Sequence, residues 1–423
     1  MEKNGIDIKI SEKQKDVINE NNETINKINI KDSGIKDLNI SEKSNKKIYL
    51  RMLGLAAIAV VIAVIIISVT LATKKEKNDR ILNPIGFIDS TLVLTTDLED
   101  QSSTPTNSTE KLSKILIIST GGTFNAVPTD SGLQPQFNET DLRERLKPIS
   151  EGCNLSFQNL LNIDSANIEP KHWKLMSESI KEHYQSQDGI IIIHGTDTMA
   201  YTSSMLSHML EGIPIPVIIT GSQLGISDPL SDGLENMRLS IYMARSNYTG
   251  VYVVFNIKVI LGKYASKTHS KSFTAFESIN YDNFGEVNSE GLNIKEELLP
   301  KIDPNFEVKN NMNENVFLLK LTPGLKPDII DFLIDEGYEG IIIESYGLGG
   351  LPNTEGNDFG SKIKSAIEKG IKIVILSQCT YDGVDLDVYE TGVTIKDAGI
   401  INMPLATKEY AYTRLIWELG NNN

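Results

Sequence analysis

From residue 112 onward, short runs of β-branched apolar residues alternate with stretches of helical period, and few architectures accommodate that alternation. The runs Ile115–Ser119, Gly189–His194, Val217–Thr220, Val251–Asn256, Val316–Leu321, Ile341–Glu344 and Ile371–Ser377 are four to seven residues long and almost continuously apolar. A strand apolar on both faces has to be covered on both faces, which is the situation of a parallel sheet flanked by helices. The intervening stretches supply those helices. Trp173, Met176, Ile180 and Tyr184 form one stripe after Pro170, and Leu234, Met237, Ile241 and Ala244 form another behind Asp232 and Glu235, spaced like a capping box. Pro327 opens and Gly337 closes a third helix, and Thr407 to Gly420 bounds the last. The polar stretch 301–315 (KIDPNFEVKNNMNEN) reads as a connection between a domain over 112–300 and a smaller one over 316–423.

The first quarter of the chain is different in kind. Residues 1–51 hold 11 Lys+Arg, 9 Asp+Glu and no aromatic before Tyr49, a composition with little to offset chain entropy, so a disordered tail is expected. Residues 52–73 (MLGLAAIAVVIAVIIISVTLAT) carry no charge between Arg51 and Lys74. At about 1.5 Å per residue they reach about 33 Å, enough to cross a hydrocarbon core of about 30 Å, and a single membrane span is expected there. Six Lys+Arg lie in 31–51 against four in 74–94, which favours a cytoplasmic N-terminus and places the remainder lumenal or extracellular. The polar, Ser- and Thr-rich residues 74–111 read as a tether.

Charge and composition narrow the chemistry. With 41 Lys+Arg against 56 Asp+Glu, a net charge of −15, the balance argues against a nucleic-acid binder, which should show a basic face over the phosphate backbone. Two cysteines make no disulfide framework, and the five histidines form no zinc motif, so neither a stapled fold nor a metal centre is expected.

In open α/β sheets ligands bind beyond the carboxyl ends of the strands, so the loops after the strands are the places to look. Ile115–Ser119 runs into Thr120-Gly121-Gly122-Thr123, where two glycines allow a sharp turn, close backbone approach, and N–H groups turned toward a developing oxyanion. The run from Gly189 leads into His194-Gly195-Thr196-Asp197-Thr198-Met199 and then a helix, which Asp197 or Thr198 could equally well cap. Neither cysteine lies in these loops, so a nucleophile here would be a hydroxyl.

At this point the chain resembles a known family. ILIISTGGTF and GIIIIHGTDTMAYTSSMLSHML are similar to the two signatures of the L-asparaginase family, in its intracellular, type I-like branch. IDSANIEPKHW, VIITGSQ, SDGLENMRLSI, SYGLGGLPN and LSQCTYDGV support the match, which covers about residues 113–420. The resemblance implies a two-domain α/β fold: a larger, mostly parallel-sheet, flavodoxin-like domain followed by a smaller Rossmann-like domain. It further implies an amidohydrolase that converts L-asparagine to L-aspartate and ammonia with no cofactor and no metal, in a homo-oligomer, dimer or tetramer.

Residue by residue, Thr123 matches the family's nucleophilic threonine, and Thr196 with Asp197 matches the Thr-Asp of HGTDT. Lys267, in GKYASKTHS, matches the lysine that completes the second threonine's triad. Asp164 and Ser165 of DSAN, with Thr196 and Asp197, match the substrate-binding positions, Ser165 at the α-carboxylate and Asp197 at the α-ammonium. A hydroxyl attacks only once a base takes its proton, a role open to Lys267 if its amine is neutral. Either Thr123 attacks directly, or Thr196 with Lys267 activates a water for one half-reaction. The family's lid tyrosine is missing: Leu133 stands in the corresponding DSGLQPQ, within a lid over 126–137 rich in Gly and Pro, and no tyrosine occurs from 124 to 183. Two other readings share these motifs, the amidase subunit of a tRNA-dependent amidotransferase and a catalytically weak asparagine sensor.

Overall fold

In the computed structural model, residues 112–129 and 132–421 are described. The tail at 1–51, the apolar stretch at 52–73 and the tether up to residue 111 lie outside them. No helix among the described residues is long and apolar enough to cross a membrane.

The chain forms β1 (Ser113–Gly121), a hairpin of β2 (Ala126–Thr129) and β3 (Gly132–Pro135), α1 (Glu139–Leu146), β4 (Cys153–Ile163) and α2 (Pro170–His183). Then come β5 (Gly189–Ile193), α3 (Met199–Met209), β6 (Pro216–Thr220), α4 (Gly233–Ala244) and β7 (Gly250–Phe255). Five short strands follow: β8 (Lys258–Leu261), β9 (Ala265–Lys267), β10 (Phe276–Ser278), β11 (Gly285–Asn288) and β12 (Gly291–Ile294). One sheet takes eight of these strands in the order β12-β11-β8-β7-β6-β5-β1-β4. Its β4, β1, β5, β6 and β7 are mutually parallel, and β8, β11 and β12 extend it antiparallel.

The register explains the apolar runs. Ile117, Ile191, Ile218 and Tyr252 line up across β1, β5, β6 and β7, all fully buried on the face covered by α1 and α4. Their neighbours Ile118, Ile192, Ile219 and Val253 point to the opposite face, under Trp173, Met176 and Ile180 of α2 and Met205 and Met209 of α3. Successive side chains alternate faces, so two buried faces require a continuous apolar run.

The smaller region is also α/β. β13 (Val316–Lys320), α5 (Asp328–Asp335), β14 (Gly340–Ser345), the two-residue strands β15 (Asn353–Thr354) and β16 (Asn357–Asp358), α6 (Phe359–Glu368), β17 (Lys372–Ser377), α7 (Glu390–Asp397) and α8 (Lys408–Asn421) follow in order. β13, β14 and β17 make a parallel three-stranded sheet. α5 and α6 cover one face through Ile330, Leu333, Ile363 and Ala366, while Ile342 and Val374 on the other join the large core through Leu415 and Ile416 of α8. Ser204 of α3 and Thr413 of α8 share a buried hydrogen bond of 2.7 Å.

One local expectation changes. Asp232 stands at the N-cap of α4 but makes no side-chain cap there; its carboxylate accepts the N–H groups of Gln223 and Leu224 instead.

Candidate active site

Three loops meet at the carboxyl end of β1. This strand has β4 on one side and β5 on the other, so the order of the sheet reverses around it and the following loops open a crevice. The turn after β1 is wedged between its neighbours. Thr120 Oγ1 donates to Ile193 O at 3.0 Å, and Gly122 N–H donates to Ile163 O at 3.0 Å. Gly121 and Gly122 have φ of 109° and 80°, and a Cβ on Gly122 would lie 2.4 Å from Gly195 Cα. Only glycine satisfies both demands. Because the Gly122 N–H is taken by Ile163, it is not a free oxyanion donor as the sequence suggested.

Gly122, Thr123, Ala126, Asp164, Ser165, Gly195, Thr196 and Asp197 line a cleft of about 80 Å³. That is well below the roughly 300–1,000 Å³ of a drug-sized site and suits a compact polar substrate. Five of the six residues singled out in the sequence line this cleft, and the sixth, Lys267, reaches it from β9. Lys267 Nζ donates to Thr196 Oγ1 at 2.8 Å and to Asp197 Oδ1 at 2.7 Å. Its side chain is only 15 % exposed, against 64 % for Asp197, so it is not the solvated surface lysine that its sequence context would suggest.

Ser165 is buried at the start of a single 3-10 turn, and Asp164 caps that turn by accepting Ala166 N–H at 2.9 Å. Ser165 Oγ accepts Asp197 N–H at 3.3 Å and Ser165 O accepts Thr198 Oγ1–H at 2.8 Å, joining the β4 and β5 loops. Thr198, at the N-cap of α3, therefore serves this junction and makes no side-chain cap. The Thr123 hydroxyl is half-buried and makes no hydrogen bond among the described residues. In the β2–β3 hairpin that follows, the register sets Leu133 opposite Pro128.

Sequence reasoning passed over His194 except as a non-metal histidine. It is fully buried, and burial pushes its pKa down to about 4. Its Nδ1 lies 2.7 Å from Gly195 O, an acceptor, so Nδ1 carries the proton. Nε2 then accepts from Thr202 Oγ1 at 2.9 Å, which in turn accepts Trp173 Nε1–H at 2.9 Å. A neutral His194 thus braces the loop that carries Thr196. Its position inside HGTDT was the only signal available for it.

Residues 114–300 match the family model "Asparaginase, N-terminal" and residues 315–423 match "Glutaminase/Asparaginase C-terminal domain". The chain is 37 % identical to the L-asparaginase of Thermococcus kodakarensis, over 73 % of this chain and 93 % of that protein. It is 35 % identical to a glutamyl-tRNA(Gln) amidotransferase subunit of Pyrococcus abyssi, over 73 % of each. Among solved structures, the thermostable L-asparaginase from Thermococcus kodakarensis superposes with a TM-score of 0.68 at 35 % identity, covering 73 % of this chain and 93 % of that one. L-asparaginase I from Vibrio cholerae superposes with a TM-score of 0.65 at 28 % identity, covering 74 % and 94 %. The chain belongs to the asparaginase family and is a hydrolase acting on amides.

Proposed function

We propose that the chain hydrolyses L-asparagine to L-aspartate and ammonia. The observation that carries this reading is Lys267 bonded to Thr196 and Asp197 at 2.8 and 2.7 Å, two residues that line the same cleft as Thr123. Thr123 Oγ attacks the side-chain amide carbon as its hydroxyl loses its proton, the C–N bond breaks, and the nitrogen takes up that proton and leaves as ammonia. Thr196, with Lys267 as base, then activates the water that cleaves the ester, releasing aspartate and restoring the Thr123 hydroxyl. Ser165 receives the α-carboxylate, and Asp197 with Asp164 receives the α-ammonium. Polar groups built for those charges reject an amide that lacks them far more strongly than apolar contacts could.

The reading as an amidotransferase component draws support from the 35 % identity to the Pyrococcus abyssi protein, but the chain covers only 73 % of that protein against 93 % of the asparaginase. The uncharged run at 52–73 supports a membrane anchor, with the catalytic region on the non-cytoplasmic side, acting as a dimer or tetramer. Ammonia release from L-asparagine and L-glutamine by the purified full chain, with Thr123→Ala as control, tests the activity. Thr123-dependent release from asparagine without a partner protein is expected. Asparagine binding with no release from either amide would replace this reading by a sensor.

A further inference from the structure

We propose that Gln223 is a positioning residue that sets the direction of the single proton on Thr196; this rests on the reading above, in which Lys267 takes that proton. Gln223 follows β6, in a fourth strand-end loop that reaches Thr196. Its Nε2 lies 2.9 Å from Ser272 O and its Oε1 lies 3.3 Å from Thr196 Oγ1.

These two contacts decide the hydrogen-bond direction. A carbonyl oxygen has no proton to give, so the amide NH₂ of Gln223 must face Ser272 and its oxygen must face Thr196. An amide oxygen likewise only accepts, so Thr196 Oγ1–H donates to Gln223. The hydroxyl has one proton, so at 2.8 Å Lys267 Nζ donates to the same oxygen rather than accepting from it. The chain runs Lys267 Nζ–H to Thr196 Oγ1–H to Gln223 Oε1, each bond polarising the next. For Lys267 to act as base, the Thr196 proton has to turn from Gln223 toward the amine. Gln223 and Lys267 therefore compete for it, and the strength of the acceptor at position 223 sets the pH at which the amine wins.

The loop is built to hold this acceptor still. Both Asp232 carboxylate oxygens accept Gln223 N–H, at 3.0 and 3.1 Å, and Oδ1 also accepts Leu224 N–H at 3.2 Å. Asn236 Nδ2 donates to Asp232 and to Gly221 O, while its Oδ1 accepts Asn256 N–H at 2.9 Å. The carboxylate displaced from capping α4 is the one that clamps Gln223. The other ionisable groups around Thr196 and Lys267 are common to all three proteins of the test below. Asp164 and Asp197 line the cleft, and Asp232 lies behind the loop. On the far side of Lys267, Glu277, Glu344, Cys379, Tyr381, Lys408 and Glu409 line an adjoining cavity, and His269, on the segment leading to Ser272, faces Glu277.

The test is the pH dependence of kcat and KM for L-asparagine in the full chain, as wild type, Gln223→Met and Gln223→Glu. Met keeps the length with only a weak thioether acceptor, and Glu offers a stronger, charged one. The acid limb of kcat is expected to move to lower pH in Gln223→Met and to higher pH in Gln223→Glu, by about half a unit or more each, with KM changed less than about threefold. A merely structural role would lower kcat in both without opposite shifts, and limbs that stay or move together overturn the proposal. If Gln223→Met fails to fold by circular dichroism, the upward shift in Gln223→Glu alone decides it. A wild type that releases no ammonia from asparagine overturns the proposed function and this proposal together; an active wild type with unmoved limbs overturns only this one.

Discussion

Lys267 Nζ lies 2.8 Å from Thr196 Oγ1 although 71 residues separate them in the chain. Lys267 stands on β9, which follows β8 in the chain and pairs with β10 in a separate two-stranded ribbon. A second bond to Asp197 Oδ1 at 2.7 Å fixes the amine between the two residues of the HGTDT loop.

Substituting Lys267 by Met removes the amine and keeps the length of the side chain. A fall in kcat for asparagine of about 10²–10⁴-fold is expected, the usual contribution of a positioned base. Steady-state ammonia release measures it, with isothermal titration as a check that asparagine still binds. A loss of less than about tenfold would remove Lys267 from the mechanism.

The two threonines are separable by the species each leaves behind. With Thr123 as nucleophile, Thr196→Ala should accumulate an acyl-enzyme in acid-quenched samples read by intact-mass spectrometry, and Thr123→Ala should show none. The reverse pattern would exchange their roles.

Gly122→Ala tests how tightly the loops are fitted. Its Cβ would lie 2.4 Å from Gly195 Cα at a φ of 80°, whereas Gly324, at 93°, has nothing within 4 Å of the same position. Left-handed strain alone costs of order 1–3 kcal/mol, and overpacking adds about 1–3 kcal/mol more. Gly122→Ala should therefore melt well below Gly324→Ala, and equal melting temperatures would mean the loops yield freely.

Acid stability should carry the mark of two buried imidazoles. Burial, then the Arg414 and Lys263 cations, push His208 down to about 3, and burial holds His194 at about 4. Folded, both stay neutral while the unfolded chain takes up protons near pH 6.5. Their contribution is therefore complete above about pH 6.5 and is lost as the pH falls toward those lower values, by roughly 1.4 kcal/mol per unit for each. His208 Nε2 has no hydrogen-bond partner among the described residues, and the ring stacks on Trp417 at 5.9 Å. His208→Phe keeps the stack, so its stability should fall less steeply than that of wild type between about pH 6.5 and 4 when followed by denaturant titration. Identical slopes would exclude His208 as a source of the acid sensitivity.

The sequence by itself determined the buried parallel strands, their helices and the two threonine loops, because burial on both faces and sharp turns each leave a local imprint. The four isoleucines at 190–193 read as an interior strand wherever they are placed, and two glycines before Thr123 demand a turn. It did not reveal β4, whose CNLSFQNLLNI lies at the sheet edge with only Leu155 buried and so carries no apolar run. The three- and four-residue strands from β8 to β12 are too short to show a period. Only the tertiary structure decided that β4 flanks β1, which opens the crevice and brings Ser165 to Asp197, and that Lys267 is largely shielded from solvent. It alone turned Asp232 from a helix cap into the clamp of Gln223. Hydrogen bonds between loops depend on strand order and register, and no periodicity within one segment records which distant segment will lie beside it.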